Sequence, residues 1–106
     1  MIKVTVTKSN GKYTEFHSSG HAGYAQEGQD IVCAAVSALV ITTANALDAY
    51  TDDSYVLEED DGYVSWRFQE EISERGTLLM DTLVLGLTEI MDSYGRNYLR
   101  LENKEV

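Results

Sequence analysis

The sequence predicts a single α+β domain in which two helices pack on a mainly antiparallel sheet. Apolar and polar residues alternate near the start of the chain, as they do in a half-buried strand. The turn signals Asn10-Gly11 and Asp61-Gly62 each follow a strand-like segment and precede another. Two longer segments repeat apolar residues at helical spacing. We therefore expect the element order β-β-α-β-β-α-β, in one domain over residues 1–106.

The first hairpin is predicted at the start of the chain. Residues 1–8 alternate between apolar and polar, Asn10-Gly11 is a strong two-residue turn signal, and the alternation resumes from Tyr13 to His17. On this alternation His17 shares a face with Tyr13. We therefore expect His17 to be a surface residue near the end of its strand.

The first helix is predicted to begin after Asp30 and to run to about Tyr50, behind a glycine-rich loop from Gly20 to Gly28. Aspartate is a favoured N-cap because its carboxylate accepts hydrogen bonds from backbone amides of the first turn. Apolar residues and one threonine then recur at helical spacing and predict the core side of the helix: Val32, Val36, Leu39, Val40, Thr43 and Leu47.

The second half of the chain repeats this order. Strands are predicted at about 55–57 and 63–69, on either side of Asp61-Gly62. Ser73 is the expected N-cap of a helix that runs to about Tyr94, where Gly95 stands at the position of a C-terminal cap. The buried side of this helix is expected to contain Leu79, Leu83, Leu87, Ile90 and Met91. A last strand is expected at about 98–102.

The composition is typical of a soluble cytoplasmic protein. The chain is 43% hydrophobic and 25% charged, and 106 residues can bury a core without disulfides or metals. Its one cysteine has no partner for an internal disulfide, which favours a reducing compartment. The apolar stretch 31–50 contains Ser, Thr, Asn and Asp, so we expect no membrane span. Residues 1–8 alternate like a strand and do not resemble a signal peptide.

The net charge of −10 argues against direct binding of nucleic acid, because binding phosphates requires clustered Lys and Arg. The charge is compatible with a basic protein partner, and also with a role in solubility alone.

Cys33 and His21 are the residues most suited to chemistry. With Asp30 as N-cap, Cys33 is the third residue of the helix, where unpaired amides and the helix dipole favour the nucleophilic thiolate. His21 lies twelve positions earlier, and the glycines of the loop allow it to fold back over the helix start. Histidine can protonate a leaving amine, and amides of the helix start could hold an oxyanion. The pattern therefore predicts acyl transfer by a thiolate–imidazole pair.

The same residues allow other interpretations. A single cysteine on an alanine-rich helix is often a small buried hydrophobe, and a histidine in a loop is often only solvated. A reactive, exposed thiol could instead sense oxidants, although no second cysteine is present to resolve the oxidised form. A third alternative is a non-catalytic acidic module that binds a basic protein.

A longer motif resembles one known family. Gly-His-Ala at 20–22, Gly28, and Asp-Ile-Val-Cys-Ala-Ala-Val-Ser at 30–37 are similar to the signature of the Prp family, the ribosomal-processing cysteine proteases of Firmicutes and related bacteria. The opening Ile-Lys-Val-Thr-Val strand also resembles the family. So does the second helix, with Leu83-Val84 and Leu87 before Tyr94-Gly95. The resemblance extends over the whole chain.

The resemblance implies a function. It implies that His21 and Cys33 form the catalytic dyad of a cysteine endopeptidase that removes a short N-terminal extension from a large-subunit ribosomal protein. It further implies cleavage after a hydrophobic stretch that contains an aromatic residue, a homodimer, and a mobile loop between the catalytic residues. We expect no cofactor.

Three further residues are candidates for supporting roles. Asp30 either caps the helix or orients His21. Ser37 lies one turn after Cys33 and either hydrogen-bonds into the site or bonds back to the carbonyl four residues earlier. Gly20 either frees the backbone beside His21 or only forms a turn.

A metal site is not expected. His17, His21, Asp30 and Cys33 lack the tight pairwise spacing of zinc ligands.

Overall fold

The computed structural model describes residues 1–26 and 28–106 and has the expected element order. The strands are β1 (Ile2–Ser9), β2 (Lys12–Ser19), β3 (Tyr55–Asp60), β4 (Tyr63–Phe68) and β5 (Leu99–Glu105). The helices are α1 (Ile31–Tyr50) and α2 (Glu74–Tyr94). The α+β class and both hairpin turns are therefore confirmed. The last strand continues to Glu105, beyond its predicted end, because it pairs along β1 as far as Lys8.

The five strands form one sheet in the order β3-β4-β2-β1-β5. The pairs β3–β4, β4–β2 and β2–β1 are antiparallel, as expected of consecutive hairpins. The pair β1–β5 is parallel, with Ile2 opposite Leu99. A parallel pair requires a crossover connection, and β5 reaches β1 directly after α2. The sheet is therefore mixed, with antiparallel pairs in the majority.

Both helices and one face of the sheet share a single core. Phe16 of β2 and Trp66 of β4 stack at its centre, with ring centroids 4.4 Å apart. At Gly86 a Cβ atom would lie 2.8 Å from Cδ1 of Leu39, so this glycine lets α2 approach α1 closely. The buried members of the two helices are Val32, Val36, Val40, Thr43 and Leu47 of α1, and Gly76, Met80, Leu83, Leu87 and Met91 of α2.

The predicted core sides of the helices are mostly confirmed. Leu39, Leu79 and Ile90 are only partly buried, because they flank the buried stripes instead of lying at their centres. Met80, which the sequence analysis did not select, is fully buried. By length and composition α1 could cross a membrane, with a mean hydropathy of 1.8, but core helices have the same property, and α1 packs on α2 here.

The alternation of β2 is interrupted by a β-bulge. Thr7 pairs with Glu15, but the next residue, Lys8, pairs with Tyr13. Thr14 is therefore the extra residue on its strand, and the side chains before it change faces.

The bulge overturns one expectation. Tyr13 faces the core, and its hydroxyl donates a hydrogen bond to Asp81 of α2. Burial and the neighbouring carboxylate raise the pKa of Tyr13. The prediction that His17 and Tyr13 share a face is therefore wrong. His17 is half-buried and meets the ring of Tyr63 edge-on, with centroids 5.0 Å apart.

Candidate active site

Cys33 lies in the first turn of α1, as the N-cap prediction requires. Asp30 is the N-cap, so Cys33 is the third residue of the helix. Its side chain is half-buried, and its sulfur accepts a hydrogen bond from the amide of Ala22, with 3.1 Å between N and Sγ. The sulfur therefore lies between a helix start, whose dipole favours negative charge, and a backbone donor of the preceding loop.

The Asp30 carboxylate joins the helix start to this loop. Oδ1 accepts hydrogen bonds from the amides of Val32 and Cys33, each at 3.0 Å. Oδ2 accepts from the amides of Tyr24 and Ala25, at 3.0 and 3.4 Å. Burial on its own would raise the pKa of Asp30. The amide hydrogen bonds outweigh burial and hold the pKa of Asp30 below its ordinary value.

His21 stands at the end of β2, against the tip of the β3–β4 hairpin. Its carbonyl accepts a hydrogen bond from the amino group of Met1. Its Nε2 lies 4.0 Å from Oδ1 of Asp61, and both side chains are exposed, at 62% and 91%. Its ring also lies directly against Gly62, whose carbonyl accepts a hydrogen bond from the amide of Gly20 at 2.8 Å.

Two cavities, of about 260 and about 380 Å³, share part of their walls. The shared residues are His21, Cys33, Ser37 and Asp61. A thiol and an imidazole thus line both cavities.

The smaller cavity combines an apolar floor with an acidic edge. Its apolar lining residues are Ile2, Val36, Val40, Ile41 and Val64, and its acidic ones are Glu59, Asp60 and Asp61. The larger cavity lies along the loop, with Gly23, Ala25, Gly28, Asp30 and Ala34 in its walls. The two cavities therefore differ in the polarity of their lining residues.

Comparison with known proteins identifies the family. The family model described as cysteine protease Prp matches residues 1–99. The chain belongs to the Prp family of cysteine proteases. The resemblance and the enzyme class predicted from the sequence are thereby confirmed.

Relatives of the Prp family match along most of their length. A protein of Bacillus subtilis (strain 168) named ribosomal processing cysteine protease Prp is 34% identical over 104 residues, which cover 92% of this chain and 93% of the relative. A protein of Staphylococcus aureus (strain Mu50 / ATCC 700699) with the same name is 32% identical over 107 residues, which cover 98% and 100%.

Two crystal structures of Prp from S. aureus share this fold. One, in complex with a covalently linked product peptide, has a TM-score of 0.92 and 32% identity. The other, in complex with a substrate peptide, has a TM-score of 0.86 and 31% identity. Each match covers 98% of this chain and 100% of the other.

The three candidate supporting residues, Asp30, Ser37 and Gly20, each have a different environment in the structure. Asp30 is the helix cap, and in the hydrogen bonds described above its carboxylate accepts from backbone amides, not from His21. Ser37 is exposed and lines both cavities. Gly20, with φ of +98°, lies so close to the carbonyl of Met1 that a Cβ atom would overlap its oxygen. Glycine is therefore required here by close packing, which neither interpretation of Gly20 included.

Three of the helix-start amides already have partners. The helix-start amides were expected to hold an oxyanion, but those of Val32 and Cys33 donate to the Asp30 side chain. That of Ala34 donates to the Asp30 carbonyl, at 3.0 Å. The N-cap thus satisfies three of the amides that could have held a substrate oxygen.

Two features of the site were missed from the sequence. Asp61 and Gly62 were interpreted only as a turn, yet they contact His21. Ala22 was part of the motif without a role, yet its amide contacts the sulfur. Both are contacts between residues distant in sequence, and no local pattern signals them. In the described parts of the chain, no group of three or more His, Cys, Asp and Glu side chains could hold a metal ion.

Tyr24, in the loop, packs against two other tyrosines. Its ring meets Tyr94 and Tyr98 edge-on, with centroids 5.5 and 5.1 Å away. Its actual contacts are with the end of α2 and the residue before β5. These rings and the Asp30 carboxylate tether the described part of the loop between the proposed catalytic residues. Glu27, also in this loop, lies outside the described residues.

Proposed function

We propose that this chain is a cysteine endopeptidase that removes the N-terminal extension of a large-subunit ribosomal protein, with Cys33 as nucleophile and His21 as acid and base. The observation that carries the proposal is the common wall of the two cavities, which contains both side chains. The substrate is supported by the names of the relatives, which are ribosomal processing proteases, and by the S. aureus structures with peptides.

The nucleophile in this proposal is the Cys33 thiolate. The amide of Ala22 donates to its sulfur and stabilises negative charge there. Attack on the scissile carbonyl forms a C–S bond and moves negative charge to the carbonyl oxygen. The Ala22 amide lies beside the reacting sulfur. We therefore propose that, once the negative charge has moved to the carbonyl oxygen, this amide donates its hydrogen bond to that oxyanion, because amides of the helix start already have other partners.

His21 protonates the leaving amine in this mechanism, because the C–N bond breaks only when the nitrogen can leave as a neutral amine. Collapse of the tetrahedral intermediate leaves a thioester on Cys33. His21 then takes a proton from water, hydroxide equivalent attacks the thioester, and the thiolate is released. His21 thus gives one proton to the amine and regains one from water, so it ends the cycle in its starting protonation state.

The cleft chemistry fits the proposed substrate. The apolar floor, formed in part by Val36, Val40 and Ile41, suits the hydrophobic side chains that the family resemblance implies before the cut. The acidic edge and the net charge of −10 suit a basic protein. The same charge disfavours direct contact with nucleic acid.

We also propose a cytoplasmic homodimer. Ribosomal proteins are made in the cytoplasm, where the free Cys33 remains reduced. Exposed apolar side chains on both helices support self-association, among them Ile31, Leu78 and Leu85, each more than half exposed. Light scattering tests the dimer, and a monomer at micromolar concentration would contradict it.

The function is tested by incubating the chain with a ribosomal-protein precursor and measuring the product masses. We expect removal of the N-terminal extension by the wild type, and a loss of at least about 10³-fold in Cys33→Ala and His21→Ala. His17→Ala is the matched control, because His17 lies in β2 outside both cavities, and it should retain activity. Salt-sensitive binding without cleavage would instead favour the acidic binding module.

A further inference from the structure

The tip of the β3–β4 hairpin contacts His21 at a residue without a side chain. A Cβ atom on Gly62 would lie 2.8 Å from Nε2 of His21 and 3.3 Å from both Cδ2 and Cε1. Contacts shorter than 3.0 Å essentially do not occur for real Cβ atoms. The imidazole therefore occupies the space that any other residue at 62 would fill.

The same turn holds the backbone that leads to His21. Ser19 pairs with Tyr63 at the last position of the β2–β4 register. One residue beyond this pair, the amide of Gly20 donates to the carbonyl of Gly62, at 2.8 Å. The hairpin tip thus contacts His21 twice, through the backbone just before it and through the edge of its ring.

We propose that Gly62 is a positioning residue of the protease. Because Gly62 has no side chain, the His21 ring packs directly against its Cα. We call this contact the seat of His21, and it determines the position of the imidazole relative to Cys33. The inference rests on the proposed role of His21 as acid and base. In this scheme Gly62, which also lines the smaller cavity, affects the reaction only through His21. Proton transfer depends steeply on geometry, so a displacement of about 1 Å can lower the rate by about 100-fold.

The chain contains a matched control for this glycine. Gly11 is the second residue of the two-residue β1–β2 turn, as Gly62 is of the β3–β4 turn. Their φ angles are similar, +77° and +66°, but a Cβ on Gly11 would meet nothing within 4 Å. Replacing either glycine by asparagine retains a residue that tolerates positive φ. The two variants therefore share the backbone effect, and only one displaces His21.

The experiment compares Gly62→Asn with Gly11→Asn in cleavage of the precursor and in thermal unfolding. We expect kcat to fall by about 10- to 100-fold in Gly62→Asn with KM changed less than about 2-fold, while Gly11→Asn keeps kcat within about 2-fold. Equal kcat in the two variants, whether high or low, would overturn the proposal, because a structural effect of the turn alone predicts equality.

A second measurement does not depend on either variant folding or on catalysis. In the wild-type protein, we expect nuclear Overhauser contacts between the ring protons of His21 and the Hα protons of Gly62. Their absence would overturn the seat. Persistent cleavage by His21→Ala would reject the proposed role of His21 as acid and base, whereas the contacts are measured in the wild type, so the two failures are distinguishable.

Discussion

The amide of Ala22 donates a hydrogen bond to the sulfur of Cys33, with 3.1 Å between the two atoms. Ala22 directly follows His21, so this contact ties the backbone of the proposed base to the proposed nucleophile. On the other side of Cys33, Asp30 holds both the helix start and the loop. The thiol is thereby fixed by short backbone contacts, which is the kind of support that a precise acyl transfer needs.

Replacing Asp30 by asparagine should destabilise the fold. The carboxylate accepts amide hydrogen bonds from both the helix and the loop, and hydrogen bonds to a charged acceptor are stronger than those to a neutral one. We expect the free energy of unfolding to fall by about 1–2 kcal/mol, measured by urea denaturation at pH 7. Asp92→Asn, at an exposed position near the end of α2, should change it by less than about 0.5 kcal/mol. Equal effects would argue against the role of Asp30 as a clamp.

The pH dependence of this difference follows from the lowered pKa of Asp30. A carboxyl whose pKa is lower in the folded than in the unfolded state stabilises the fold fully above its unfolded value of about 3.9. The contribution is lost as the pH falls through the folded pKa. We therefore expect the stability difference between wild type and Asp30→Asn to be constant above about pH 5 and to shrink below about pH 4. A difference that persisted unchanged to pH 2 would contradict the lowered pKa.

Replacing Tyr24 by alanine should loosen the loop with little effect on the core. The ring packs edge-on against Tyr94 and Tyr98, and such pairs contribute about 0.5–1.5 kcal/mol. We expect amides of residues 22–26 to exchange hydrogen at least about 3-fold faster, while amides of α2 keep their rates. Tyr50→Ala, which removes a 64% exposed ring at the end of α1, is the control. Unchanged exchange in the loop would show that Tyr24 does not tether it.

Neutralising the acidic edge should weaken binding of a basic substrate. Glu59 and Asp60 line the smaller cavity, and exposed charge pairs contribute about 0–1 kcal/mol each. We expect KM of the double variant Glu59→Gln/Asp60→Asn to rise by about 2- to 10-fold at low salt, with kcat unchanged. Salt should reduce the difference, since it screens exposed charges.

The control for the acidic edge is Glu70→Gln/Glu71→Gln. It removes the same net charge between β4 and α2, away from both cavities in the described part of the chain. A KM increase of equal size in the control would assign the effect to net charge and not to the edge of the cleft.

The helix start was predictable from the sequence because its interactions are local. Asp30 caps a helix that begins one residue later, and this spacing alone puts Cys33 in the first turn. Both hairpins followed from their two-residue turn signals for the same reason. The pairing of β5 with β1 was not predictable in this way, because their contact depends on a crossover and not on a local pattern.

The remaining parts of the site depend on tertiary structure. The contact of His21 with Gly62 arises only when β2 and β4 pair in one particular register. The sequence predicted that Asp30 caps the helix, but it could not reveal how the two carboxylate oxygens divide between helix and loop. The bulge at Thr14 likewise leaves no local signal, so the face of Tyr13 was predicted wrongly.

The most direct test of the proposed chemistry is the mass of the protein itself during turnover. The precursor is mixed with the wild type and the reaction is quenched in acid. The mass of the intact chain is then measured by mass spectrometry, and the chain is digested to locate the adduct. We expect an adduct equal to the released extension minus one water, on the peptide that contains Cys33. Cleavage that proceeds in Cys33→Ala, or in the wild type with the extension attached elsewhere, would contradict a Cys33 thioester.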